Sequence, residues 1–205
     1  EWYLDRDNCI LYMYPTGDLI DAEIEMNIDF QDTIISVSDC DYITFEGITF
    51  KGTKGNGFTA SGVNNFTIKN CSFADIGRNA LTGSGYYCTI SGCDFRYLGG
   101  TAISWNGGVK NTLTRSFNVI DNNYITQWGL YGRTFTAGIN VSGQGFTVSH
   151  NEIEDSSSNA VSISGNLNVM EYNLIHDCTK YASDCGAFYN GSSWTAGNNY
   201  IRYNC

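Results

Sequence analysis

Proline is nearly absent from this chain: 205 residues contain one, Pro15. No stretch sustains the 3.6-residue apolar spacing of a helix, which excludes an α-helical fold. No apolar run approaches the roughly 18 residues a membrane-spanning helix needs, so no membrane span is expected. Basic residues are scarce at the start. Residues 1–46 hold 12 acidic residues against the single Arg6, and the whole chain carries −10. That balance argues against nucleic acid, whose phosphates require clustered Lys and Arg. It permits a solvated acidic surface, a cation or a basic partner. A Ser-His-Asp order, a phosphate-binding loop and zinc-type Cys/His spacing are missing too. No cofactor and no metal site are expected, Ca2+ being the one ion that the acidic groups leave open.

What is abundant is glycine, 23 in all, and it falls in a repeat. Six times a small residue and an apolar residue lead through polar positions to a Gly. The copies are Gly57–Gly62, Ala80–Gly85, Ala102–Gly107, Gly138–Gly143, Ala160–Gly165 and Gly186–Gly191, and their closing glycines stand 23, 22, 36, 22 and 26 residues apart. Self-similarity at this period signals a solenoid. A second strand lies between the copies, with period-2 alternation, as in Ile43–Phe50, Phe66–Phe73, Phe146–Ile153 and Asn168–Ile175. Alternation of that kind makes strands. Two or three short strands per turn, with Gly at the corners for φ > 0, predict an all-β parallel β-helix of about six to seven turns. Like residues then stack about 4.8 Å apart. Ile68, Ile90, Ile120, Val148 and Met170 should form one buried column. Asn123, Asn151 and Asn173 should form an inward asparagine ladder.

Ahead of the solenoid, Trp2-Tyr3-Leu4 and Ile10–Tyr14 flank the turn Asp5–Asn8 and predict a hairpin. Pro15-Thr16-Gly17-Asp18 reads as a second turn, and residues 19–37 as one or two lead-in strands. The expected division is therefore 1–32 for hairpin and lead-in, and 33–205 for a single β-helix domain. The chain opens at Glu1 without a signal peptide and closes at Cys205 inside a repeat. Solenoids need end caps, so both ends are expected to be cut from something longer, processed or covered by a partner. Open ends also allow copies to stack end to end, which makes a structural module of an extracellular filament, coat or adhesin the alternative reading.

Eight cysteines and four N-x-Ser/Thr sequons, at Asn65, Asn70, Asn140 and Asn190, point to a secreted glycoprotein. Asn140 falls at an outward strand position. Cys178 and Cys185 share one loop and are expected to pair across it. Cys71 and Cys93 occupy one column in adjacent turns, as a disulfide or as stacked thiols.

Insertions on a regular solenoid mark its working face. The long connections carry Trp128, Tyr131, Arg133 and Trp194. Aromatic rings stack on pyranose faces and charges bond hydroxyls or uronates, so these residues are the expected sugar-binding set and a polysaccharide the expected partner. In register, Glu154 falls beside His176 and Asp155 beside Asp177 on adjacent rungs, with Asp184 at the end of the same loop. Glycoside hydrolysis needs two carboxyls flanking the bond, about 5–5.5 Å apart for retention or 6.5–9.5 Å for inversion. Crowding raises one pKa, as an acid catalyst requires. Glu154, Asp155, His176, Asp177 and Asp184 are the candidate catalytic residues. A β-elimination lyase would need a basic residue beside a cation site, and only Lys180 and Arg133 are near.

The segments Glu1–Asp5, Tyr42–Phe50, Ser149–Ile153, Glu171–Asp177, Asp184–Tyr189 and Asn199–Asn204 resemble right-handed parallel β-helix proteins of the pectin-lyase-like superfamily. They look closest to secreted bacterial β-helix proteins related to glycoside hydrolases. The resemblance covers nearly the whole chain and implies a right-handed coil and a carbohydrate-directed role. That group usually carries a Gly-Arg-Asp-Trp-like run after its Gly-Ala-Phe-Tyr segment. Here Gly191-Ser192-Ser193-Trp194 stands in its place.

Overall fold

The structure, a computed structural model, describes residues 2–14, 17, 20, 32–191 and 193–205. The expected turn at Pro15, Thr16 and Asp18 and the lead-in stretch 21–31 lie outside the described residues. The hairpin forms as its turn signal predicts. Strands β1 (Trp2–Asp5) and β2 (Ile10–Met13) pair antiparallel, with Trp2 opposite Met13 and Asp5 opposite Ile10. Asp5 closes the turn by accepting from the Asp7 and Asn8 amides, both at 3.1 Å.

From Thr33 onward every strand pairs parallel with its counterpart one turn away, in three sheets of seven, seven and six strands. The first sheet holds the glycine-closed repeats, for example Asn56–Asn64, Leu81–Tyr86, Ile103–Gly107, Ile139–Gln144 and Val161–Asn166. The second runs from Thr44–Glu46 to Tyr200–Arg202, and the third from Thr49–Thr53 to Leu174–His176. Because registers match from turn to turn, each sequence column becomes a stack of side chains. Ile68, Ile90, Ile120, Val148 and Met170 align in the second sheet and are all buried. Phe50, Phe73 and Phe95 stack in the third, with ring centroids 4.7 and 4.8 Å apart. Ile120→Ala is expected to cost roughly 2–5 kcal/mol, since the hole cannot refill from fixed neighbours above and below. Thermal or urea melting checks this.

The corners are made by single residues at positive φ. After the second sheet these are Gly47, Asn70, Gly92, Asn122, His150, Tyr172 and Tyr203. In the third sheet they fall within the first three strands, at Gly52, Asp75 and Tyr97, and just past the next three, at Gln127, Asp155 and Asp177. Left-handed backbone favours Gly, Asn and Asp. At the last three corners of the second sheet the bulky rings stack on one another: His150 lies 5.3 Å from Tyr172, and Tyr172 lies 5.2 Å from Tyr203.

Just past the second corner the chain turns inward, and here the asparagine ladder forms. Asn123, Asn151, Asn173 and Asn204 hand hydrogen bonds along the axis. Each of the first three donates its side-chain Nδ2 to the next residue's Oδ1 at 2.9 Å. Cys71 and Cys93 occupy the same column and donate instead to the Phe45 and Ile68 carbonyls, at 3.7 and 3.8 Å. They are stacked thiols, not a disulfide.

All eight cysteines are free. The expected Cys178–Cys185 bridge is not formed, and register explains why. Cys178 follows the corner residue Asp177 and therefore falls into the inward column of Ser156 and Trp128. Its thiol donates to the Ile153 carbonyl at 3.6 Å, while the Cys185 thiol turns to the Ala182 carbonyl at 3.1 Å. Burial pushes the Cys178 thiol up to about 12 and those of Cys88 and Cys93 up to about 11. Thiolate is the reactive form. Alkylation of the native protein should therefore label exposed Cys9 and Cys205 first and Cys178 late. A peptide map showing a Cys178–Cys185 link would contradict the placement.

Candidate active site

Two long insertions leave the third sheet two turns apart from each other: residues 127–138 and 177–187. Between them the intervening turn closes tightly through Asp155–Ala160. Unequal loops on equal rungs leave a depression at this corner. It is lined by Arg96, Tyr97, Tyr124, Thr126, Gln127, Glu154, Asp155, Asp177 and Lys180 and has a volume of about 420 Å3. A neighbouring depression of about 280 Å3 shares Gln127, Asp155 and Lys180 and adds Arg133, Ser157 and Tyr181.

Strand pairing fixes the side chains. Glu154 aligns with Thr126 on one side and His176 on the other, and Glu152 aligns with Tyr124 and Leu174. His176 Nε2 lies 3.5 Å from Glu154 Oε2 and 3.9 Å from Glu152 Oε1. Its Nδ1 lies 3.0 Å from Asp177 Oδ2. Glu154 also accepts a short hydrogen bond from the Tyr124 hydroxyl. One atom each from Glu154, His176 and Asp177 can be chosen so that all lie within 4.8 Å of one another. Asp155, at the corner, meets Lys180 Nζ at 2.5 Å and accepts from Gln127 Nε2 at 3.2 Å.

The charges follow from this packing. The Asp177 hydrogen bond, with the charges of Glu154, Asp177 and Glu152, holds His176 protonated above the ordinary imidazole value. The Lys180 ammonium, then Gln127, keeps the Asp155 carboxyl below the usual carboxylate range. Asp155 in return raises Lys180, and the Glu154 hydrogen bond raises Tyr124. The corner thus presents a carboxylate whose ionised form is favoured and an imidazole whose protonated form is favoured, the latter among three further carboxylates.

Of the residues expected from sequence, Glu154, Asp155, His176 and Asp177 are brought together. Asp184 is exposed on the loop and lines neither depression. Trp128 lines the second depression but is 1 % exposed, and its indole Nε1 donates to the Thr136 carbonyl at 3.1 Å, which leaves little ring face open to a sugar. Tyr131 is exposed but sits by Gly99, Arg78 and Asn79, in a separate trough. Arg133 lies over the Tyr181 ring at 5.8 Å, at the second depression. Trp194 is fully exposed and lines neither depression. Tyr124, Gln127 and Arg96 were not expected. Tyr124 is one rung from Glu152 in the same outward column, a neighbour that column alignment reveals. Of the sequons, Asn65 and Asn70 occupy exposed left-handed corners and Asn190 is exposed. Asn140 faces outward, with its amide donating to Ser104 Oγ at 3.2 Å.

A family model described as "Right handed beta helix region" matches residues 80–205. No curated protein matches the chain in sequence. Among solved structures it is similar to a glycoside hydrolase, at 18 % identity and a TM-score of 0.62 over 74 % of this chain. The chain spans 29 % of that protein's length. It is also similar to an alginate lyase from Paenibacillus sp. str. FPU-7, at 13 % identity and a TM-score of 0.54, over 84 % of this chain and 76 % of that one. At such identities the likeness is one of fold.

Proposed function

Because the chain belongs to the family of right-handed β-helix regions, we propose that it binds a polysaccharide along the third sheet and hydrolyses it at the corner cleft. The observation that carries this reading is the convergence of Glu154, His176 and Asp177 within 4.8 Å, at the edge of a cleft that Asp155 also lines. Glycoside hydrolysis needs one carboxylate that stays charged and a second carboxyl that can carry a proton. Asp155 fits the first role, because Lys180 holds it ionised. In place of a protonated carboxyl the corner offers the His176 imidazolium as proton donor, favoured by the hydrogen bond to Asp177 and by the charges of Glu154, Asp177 and Glu152. The two carbohydrate-active structural neighbours agree with a glycan substrate.

Elimination is the weaker reading for a stated reason. A lyase needs a neutral base beside the sugar. Lys180 is held protonated by Asp155, and Tyr124 is held protonated by Glu154. Neither accepts a proton readily near neutral pH.

The chain has two histidines, which makes a direct binding test available. Oligosaccharide titrated into the protein should shift the His176 ring resonances and leave those of His150, on the second corner, in place. Shifts confined to His150, or none with any glycan, would count against the cleft.

A further inference from the structure

We infer that the trough between Arg78 and Tyr131 is a second carbohydrate-binding site, separate from the cleft. It takes a sugar ring that carries an anionic group, a uronate carboxylate or a sulfate ester. The inference rests on the glycan reading for the class of ligand, but uses none of the cleft residues. The trough has a volume of about 440 Å3 and lies where the second and third turns pass from the third sheet to the first. Arg96 and Tyr97 of the cleft precede Gly99 and Gly100 of the trough on one turn. The 127–138 insertion stands beside both, with Leu130 on the second depression and Tyr131 on the trough.

The hydrogen-bond donors set the ligand. The chain carries −10, and Asp155 lines both cleft depressions. Among the described residues no carboxylate lines the trough. Arg78 is exposed, and its guanidinium has no partner among the described residues. Beside it, Asn56 Oδ1 accepts from the Asn79 amide at 3.2 Å, and Asn79 Oδ1 accepts from the Thr101 amide at 2.9 Å. Each oxygen thus serves the backbone of the next turn. Neither Nδ2 has a partner among the described residues. A guanidinium and two amide NH2 groups are all donors. They match a ligand rich in acceptors, and a guanidinium fork fits an oxyanion with two parallel hydrogen bonds.

Tyr131 supplies a platform. It is 80 % exposed, yet its backbone is pinned. The Leu130 amide donates to the Leu98 carbonyl at 3.0 Å and the Tyr131 amide to the Gly99 carbonyl at 3.2 Å. A Cβ added at Gly99 would stand 2.6 Å from Tyr131 Cδ2, so the ring rests on backbone that only glycine leaves bare. A ring fixed by its main chain and open on its face loses little freedom when a ligand stacks on it. An apolar ring with a few convergent polar groups is the usual make-up of a small-ligand site.

The test reads binding by the full chain, not cleavage. Tetrasaccharides of galacturonate and of sulfated galactan are titrated beside the same oligomers with carboxyls reduced or sulfates removed. An acidic series should shift the Arg78 Nε–Hε resonance and the Asn56 and Asn79 side-chain amides. It should bind about 10-fold or more tightly than its neutral form, as a charge-assisted pair gives. The series that responds identifies the anionic group. Arg78→Ala should erase the preference, and Tyr131→Ala should weaken acidic and neutral forms alike. Equal affinity for acidic and neutral oligomers, a preference that survives Arg78→Ala, unchanged binding in Tyr131→Ala, or shifts at His176 with none at Arg78 would overturn the proposal. Acid-selective binding at Arg78 without any cleavage would uphold the trough and count against the hydrolytic reading alone. Cleavage with no response at Arg78 would do the reverse.

Discussion

Glu154→Gln is expected to lower glycan cleavage by about 10²–10⁴-fold, the range for removing a positioned acid or base. Its melting curve should match wild type. Glu154 is outward-facing and partly exposed, and Gln keeps its length and its ability to accept from Tyr124. What Gln removes is the charge that faces His176 at 3.5 Å and favours its protonated form. Asp177→Asn should act in the same direction, because it strips the ring of its Nδ1 partner. Asp184→Asn should have no effect, since that side chain is exposed and lines neither depression. Equal losses in the Asp184 and Glu154 variants would mean that the loop as a whole, not the corner, does the work.

Asn151→Ala is expected to be the most damaging conservative change in the core. Asn151 is 1 % exposed and sits in the middle of the ladder. Its Oδ1 accepts from the Asn123 amide at 3.0 Å and from Asn123 Nδ2 at 2.9 Å. Its Nδ2 donates to the Ile120 carbonyl at 3.0 Å and to Asn173 Oδ1 at 2.9 Å. Truncation strands two or three buried polar groups at about 1–3 kcal/mol each, for a total of roughly 3–5 kcal/mol. Asn151→Cys should cost less, because Cys71 and Cys93 serve the same column by reaching carbonyls of the preceding turn. Denaturant melts of the two variants decide this. An unchanged midpoint in Asn151→Ala would show that the ladder contributes nothing net.

The solenoid was legible because each turn repeats the same three demands: alternation in the strands, a left-handed residue at the corners, an inward polar residue after them. Asn123, Asn151 and Asn173 could be placed from spacing alone, and so could the juxtaposition of Glu154 with His176. The irregular loops were not legible. Trp128 was expected to face sugar because it lies in an insertion. It is the second residue past His176's counterpart Thr126, so it falls in the inward column and fills the core. Cys178 was misread for the same reason: one residue past the corner, it turns to the Ile153 carbonyl and is not bonded to Cys185. Asp184 failed because a loop that leaves the rungs carries no register to place it. A second polar column, in which Asn118, Asn168 and Asn199 accept from the Cys88, Phe146 and Asn168 amides at 2.9, 2.9 and 3.0 Å, went unnoticed. Phe and Cys interrupt it in sequence, so no single residue type announces it.

The claim that the third-sheet corner hydrolyses a glycan is tested most directly by a cleavage assay with two readouts. Purified protein is incubated with plant, algal and microbial polysaccharides, and both new reducing ends and unsaturated uronates are measured, with Glu154→Gln run beside wild type. The account predicts reducing ends without unsaturation on at least one polysaccharide, lost in the variant. Unsaturated products, cleavage that persists in Glu154→Gln, or no cleavage across the panel would contradict it.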